Sequence, residues 1–157
     1  MICKLAVLLL LVFPSFAHAV DTEIPRAKNL ALAASSSAPQ QLPLVVFVSR
    51  DACPYCRTLR ESVLAPMYAA GKFEQRAVLL EVNLDWTTPL TGFDGKPILA
   101  KDFAEQYKAA ITPTLLFLDE KGKQLSKPRV GISNLDLYVY YLDRAIDESL
   151  ILLNATE

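Results

Sequence analysis

Cys53-Pro54-Tyr55-Cys56 is the stretch of this 157-residue sequence whose residue types and spacing can do chemistry. Two thiols three positions apart at the start of a helix lie on one face, close enough to form a disulfide. Their positions make them unequal. The first sits at the helix terminus, where unpaired N–H groups and the positive end of the helix dipole stabilise a thiolate; the second lies one turn in and is more enclosed. Cys53 is therefore the expected nucleophile and Cys56 the resolving thiol. Arg57 and Arg60, further along the same helix, add positive potential that solvent screens.

The flanking pattern supplies that helix and a sheet to hold it. Residues 44–48, Leu-Val-Val-Phe-Val, form a continuous apolar run of the kind found in strands buried on both faces. Asp51-Ala52-Cys53-Pro54 reads as a turn into a helix with Pro54 in the first turn, where its missing N–H costs nothing. Leu59, Val63, Leu64 and Met67 continue at helical spacing, and Pro66 should break or kink the helix near Ala65. Residues 77–84 alternate as a second strand, and 86–97 form a loop or small hairpin rich in Pro and Gly. Residues 101–109 make a short helix with Phe103 and Tyr107 at i, i+4. Residues 114–118 and 124–130 are strands around a turn at 119–122, short enough to pair them antiparallel. Ser133, with Asp136 three residues on, should cap a last helix whose Leu135, Tyr138, Leu142, Ala145, Ile146, Ser149, Leu150 and Leu153 share a stripe. The order implies one α/β domain with a mixed central sheet flanked by helices.

Composition narrows the function class. The chain is 52% hydrophobic and 21% charged with a net charge of −1, which excludes a disordered chain and leaves no basic surplus for nucleic acid. Residues 1–19 read as a secretory signal: Lys4, an apolar run over 5–13, and Ala17-His18-Ala19 before the cut. The run is too short to cross a hydrocarbon core of about 30 Å, so no membrane span is expected after cleavage. Cleavage after Ala19 removes Cys3 and His18, the sole histidine. Residues 20–43 form an Ala- and Ser-rich leader, either mobile or carrying a short helix over 26–34, and the domain spans 44–157. With the dithiol as the remaining cysteines, a zinc or iron–sulfur site would need carboxylates to reach about four ligands. A purely structural bridge closing so small a loop would constrain the unfolded chain little. Unpaired core thiols fit export poorly. Redox chemistry is the favoured use of the pair, with no metal and no cofactor beyond the Cys53–Cys56 disulfide.

At this point the chain resembles the thioredoxin superfamily across residues 44–153. Three markers occur in order: the strand leading to Cys53-Pro54-Tyr55-Cys56, then Ile111-Thr112-Pro113-Thr114-Leu115-Leu116-Phe117, then Val130-Gly131 before the last helix. The resemblance implies a thioredoxin-like fold, a cis peptide bond at Pro113, and a Thr112-Pro113 edge beside the dithiol where an extended substrate docks, with Pro54 and Tyr55 facing the partner. Phe93-Asp94-Gly95, the Thr-Pro-Thr segment and Gly122-Lys123 make it most similar to exported thioredoxin-related proteins found with bacterial sulfur-oxidation systems. The Pro-Tyr dipeptide is also that of glutaredoxins. Typical cytosolic members place a buried Asp on the strand before the dithiol and a Lys on the next; here Phe47 and Glu81 hold those places, and Ala52 replaces a common Trp. Glu81 is accordingly expected to be partly buried, with a raised pKa, and to act as the base for Cys56.

The resemblance implies a periplasmic thiol–disulfide oxidoreductase working through a mixed disulfide, reducing exported proteins and recharged by a membrane thiol-reducing transporter. A disulfide oxidase or isomerase is the alternative enzyme, and a non-catalytic binding module or redox sensor, with Trp86 and the 87–96 loop as its contact surface, is the alternative of another class. A monomer is expected.

Overall fold

The computed structural model describes residues 23–155. The signal-peptide reading of residues 1–19 lies outside them.

Strand β1 (Leu44–Ser49) is buried along its whole length and occupies the middle of a four-stranded sheet. It runs parallel to β2 (Val78–Asn83) and antiparallel to β5 (Thr114–Leu118), which in turn pairs antiparallel with the short β6 (Arg129–Val130), giving the order β2-β1-β5-β6. The apolar run of β1 serves two cores at once, because successive side chains point to opposite faces. Val45 and Phe47 pack with Cys56, Leu59, Val63, Leu142 and Ile146 on one side. Leu44, Val46 and Val48 pack with Leu30, Phe103 and Ala104 on the other. The mixed sheet and flanking helices are the expected architecture.

The helix that opens as α2 (Pro54–Leu59) is not broken at Pro66; its hydrogen-bond register changes just before Ala65. A π-helical turn over Arg60–Leu64 carries it into α3 (Ala65–Ala69). The Ala65 N–H bonds to the carbonyl of Arg60, five residues back, so the ladder has already widened when Pro66, which has no N–H to give, enters the first turn of α3.

The N-terminal segment is not a leader lying outside the domain. Ile24, Ala27, Leu30 and Ala34 are buried, and helix α1 spans Leu30–Ser37, a few residues later than 26–34. Ala27 N–H donates to the Glu81 carbonyl and Glu81 N–H to the Pro25 carbonyl, both at 2.8 Å, so this stretch extends the sheet at the free edge of β2. Asn29 caps α1, its Oδ1 accepting from Leu32 N–H at 2.8 Å.

Two further expectations are corrected. The strand expected over 124–130 reduces to a single bridge between Leu118 and Gln124 plus β6, because Ser126 turns into the domain against Ser149 and Pro128 has no N–H for the ladder. The last helix, α5 (Tyr138–Asn154), starts after Leu137, and it is Asn134 that accepts the Leu137 N–H, at 3.2 Å, not Ser133. Its buried face, Tyr138, Leu142, Ala145, Ile146 and Ser149, is the expected stripe. The 86–97 region does form a hairpin, β3 (Leu90–Thr91) with β4 (Pro97–Ile98), followed by α4 (Ala100–Gln106), where the Phe103 and Tyr107 rings lie 4.8 Å apart. Gly122, at φ +78°, lies so close to the Phe93 ring that a Cβ there would come within 2.6 Å of it.

Candidate active site

Cys53 is the N-cap of α2, with extended backbone at φ −126° and ψ 98°, and Pro54 opens the helix. The chain reaches this point from the end of β1 through a braced turn: Asp51 N–H donates to Asp85 Oδ2 at 2.9 Å, Asn83 Nδ2 donates to Asp51 Oδ1 at 2.6 Å, and Asp85 N–H donates to Asn83 Oδ1 at 2.9 Å. These three polar side chains were not singled out by sequence; their only signal is that two follow the ends of neighbouring strands.

Cys53 and Cys56 are joined as a disulfide, with their Cα atoms 5.2 Å apart. They are unequal in the expected sense. Cys56 is fully enclosed, whereas Cys53 keeps 9% of its surface. The Cys56 N–H donates to Cys53 Sγ at 3.1 Å, and the Thr112 hydroxyl approaches the same sulfur at 3.5 Å. Both donors point at Cys53 Sγ, and hydrogen bonds of this kind favour the charged form of a sulfur.

The distant markers converge here. The Thr112–Pro113 bond is cis, and Gly131 N–H donates to the Pro113 carbonyl at 2.8 Å, bringing the end of β6 against the proline. Tyr55 is 66% exposed, facing solvent as expected. Ile111 and Val130 are exposed at 68% and 54%, apolar residues adjoining Thr112 and Gly131 that sequence reading did not assign to the site. Trp86 is half-buried, with the Arg26 guanidinium 3.7 Å above its ring, so part of it is taken up within the domain.

Glu81 is buried on β2 opposite Phe47, which packs in the same cluster as both cysteines. Paired residues share a face of the sheet, so its carboxylate lies on the dithiol side. Its Oε1 accepts from the Ser49 hydroxyl and from Nη2 of Arg60, which lies one turn beyond Cys56 on the helix. Arg60 was read as a screened surface charge; its role as the partner of a buried carboxylate depends on which face of the sheet Glu81 occupies.

The family model of a thioredoxin-like domain matches residues 30–145, beginning at the first residue of α1. The chain belongs to that family. Among solved structures it is similar to the oxidoreductase DsbH, at 19% identity and a TM-score of 0.59, with 90% of this chain and 95% of that one covered. Thioredoxin O2 from Arabidopsis thaliana follows at 18% identity and 0.52, covering 76% and 91%, and the C-terminal domain of DsbD from Neisseria meningitidis at 15% and 0.52, covering 74% and 89%. No curated protein sequence matches the chain. A thioredoxin-like domain that holds Cys53 and Cys56 as a disulfide at the start of a helix makes this protein a thiol–disulfide oxidoreductase.

Proposed function

We propose that the protein is a periplasmic reductase of disulfides in exported proteins. The observation that carries the reading is the asymmetry of the pair beside Thr112-Pro113: Cys53 keeps 9% of its surface and its sulfur is faced by two donors, whereas Cys56 is fully enclosed. In the reduced protein the Cys53 thiolate attacks one sulfur of a substrate disulfide lying along the Thr112-Pro113 edge, between Tyr55 and Val130. A bond forms from Cys53 to that sulfur, and the other substrate sulfur leaves as a thiolate. Cys56, losing its proton, then attacks Cys53 Sγ; the second substrate sulfur leaves, and the Cys53–Cys56 disulfide closes. Glu81 is assigned as the acceptor of the Cys56 proton, with Ser49 and Arg60 holding its carboxylate.

The compartment rests on the signal pattern of residues 1–19, and a reductant there needs electrons from a membrane thiol-reducing partner. Among the described residues no helix is long and apolar enough to cross a membrane. The likeness to sulfur-oxidation proteins, carried by Phe93-Asp94-Gly95 and Gly122-Lys123, makes their exported enzymes a natural substrate class. One observation favours the reverse direction: donors aimed at Cys53 Sγ stabilise the reduced form and so make the pair more oxidising. The equilibrium reduction potential of the Cys53–Cys56 pair against a glutathione or dithiothreitol series decides. A value near about −270 mV supports the reductase; one near about −120 mV replaces it with a disulfide donor.

A further inference from the structure

Between the end of β6 and the start of α5 lies a cavity of about 340 Å³ lined by Arg129, Gly131, Ser133, Tyr138 and Tyr141. It adjoins the substrate edge. Gly131 holds the Pro113 carbonyl through its N–H, and Arg129 pairs in the ladder with Leu115, two residues from Pro113. Leu115 belongs to the cluster that contains Cys53, Cys56 and Tyr138, so the Arg129 side chain leaves β6 on the dithiol face of the sheet.

Two polar atoms at this cavity are buried without a partner, Nε of Arg129 and the hydroxyl of Tyr138. Tyr138 is only 5% exposed, and burial pushes its phenol up to about 12 against the opposing charge of Arg129; like any tyrosine it is a protonated donor at neutral pH. Arg129 makes no ion pair among the described residues; its guanidinium stands 5.9 Å from the Tyr141 ring. Asp147, which lines the neighbouring cavity beside Arg129, is held by Arg76 at 2.8 Å. Buried donors are almost always paired, and two together, one of them cationic, ask for an acceptor with two oxygens and a negative charge. The rest of the Arg129 guanidinium is only partly buried and shares that neighbouring cavity with Glu148, whereas its Nε and the Tyr138 hydroxyl stay enclosed at this one. A carboxylate answers both.

We propose that this cavity is a specificity subsite that receives an Asp or Glu side chain of the substrate polypeptide flanking its reactive cysteine. The subsite rests on the oxidoreductase reading, and a free carboxylic acid would meet the same donors, so the test separates these possibilities.

Pre-reduced protein is mixed in single turnover with matched peptide disulfides carrying Glu or Gln at each of three positions on either side of the cysteine. At one position Glu is expected to react about tenfold faster than Gln, in line with charge-assisted hydrogen bonds. That ratio falls to near one in Arg129→Gln and to about threefold in Tyr138→Phe. A ratio of one at every position in the wild type overturns the subsite while leaving the oxidoreductase intact. Millimolar free glutamate that erases the ratio overturns the polypeptide as its source. In parallel, cysteine-free versions of the peptides are titrated into the disulfide form and followed by the Gly131 and Tyr141 amide resonances. Tighter binding of the Glu peptide, lost in Arg129→Gln, supports the subsite, and equal binding overturns it. If no peptide disulfide is reduced at all, the reductase reading fails and this binding arm alone decides the subsite.

Discussion

The Thr112 hydroxyl stands 3.5 Å from Cys53 Sγ, although the two residues are far apart in the chain. A threonine immediately before the cis proline therefore bears on the electronics of the dithiol as well as on the proposed docking edge. Thr112→Val keeps the side-chain shape and removes the donor. A long hydrogen bond to a thiolate contributes about 1 kcal/mol, so the Cys53 thiolate should titrate at higher pH, and the potential should fall by about 20 mV. Thiolate absorbance against pH and the glutathione equilibrium measure both.

The difference in burial between the sulfurs predicts opposite behaviour of the two serine variants. Cys56→Ser leaves the nucleophile in place without its resolving partner and should accumulate mixed disulfides with substrate. Cys53→Ser should trap none, because Cys56 is wholly enclosed. Non-reducing gels with mass spectrometry of the adducts test this. Partner binding that survives Cys53→Ser unchanged would favour a binding module over catalysis.

Glu81→Gln removes the charge facing Arg60 while keeping a group that can still accept from Ser49. Because Arg60 is partly exposed, the loss of stability should be about 1 kcal/mol in urea unfolding. Resolution of the mixed disulfide should slow, because a neutral amide cannot take up the Cys56 proton. An unchanged resolution rate would remove Glu81 from the mechanism and leave it a structural partner of Arg60.

Alkaline pH should unfold the protein through two phenols. Tyr107 and Tyr138 are both pushed up to about 12, chiefly by burial, with Asp119 adding to the shift of Tyr107 and Arg129 opposing that of Tyr138. The unfolded chain releases these protons near pH 10, so their contribution is complete below pH 10 and is lost as pH rises toward 12. Urea midpoints across this range should fall. Tyr138→Phe should flatten part of the decline and change stability at pH 7 by less than about 1 kcal/mol, since its hydroxyl has no partner.

Leu30 is completely buried between α1 and the sheet. Leu30→Ala should destabilise the domain by about 3 kcal/mol, within the usual span for a buried leucine. A mobile leader would show no change, so thermal or urea unfolding separates the two outcomes.

Residue spacing alone determined the dithiol, the inequality of Cys53 and Cys56, the central strand and the buried stripe of α5, because each depends on neighbours within a few residues. The fit of Leu44–Ser49 to a strand covered on both faces, or of Tyr138, Leu142 and Ala145 to one helix face, is a local property of the pleat or the 3.6-residue turn. The π-helical turn before Pro66 was not legible, since it reflects how the backbone accommodates a missing donor while Leu59, Val63 and Leu64 stay packed. Residues 24–37 looked like a leader because Ala and Ser carry little pattern; only the open edge of β2 gave their backbone groups partners. Arg60 and Glu81, and Arg129 and Tyr138, come together through sheet register and helix packing, which no sequence spacing encodes. Charges and buried donors act over a few ångströms of space, so the tertiary structure decided which of them meet.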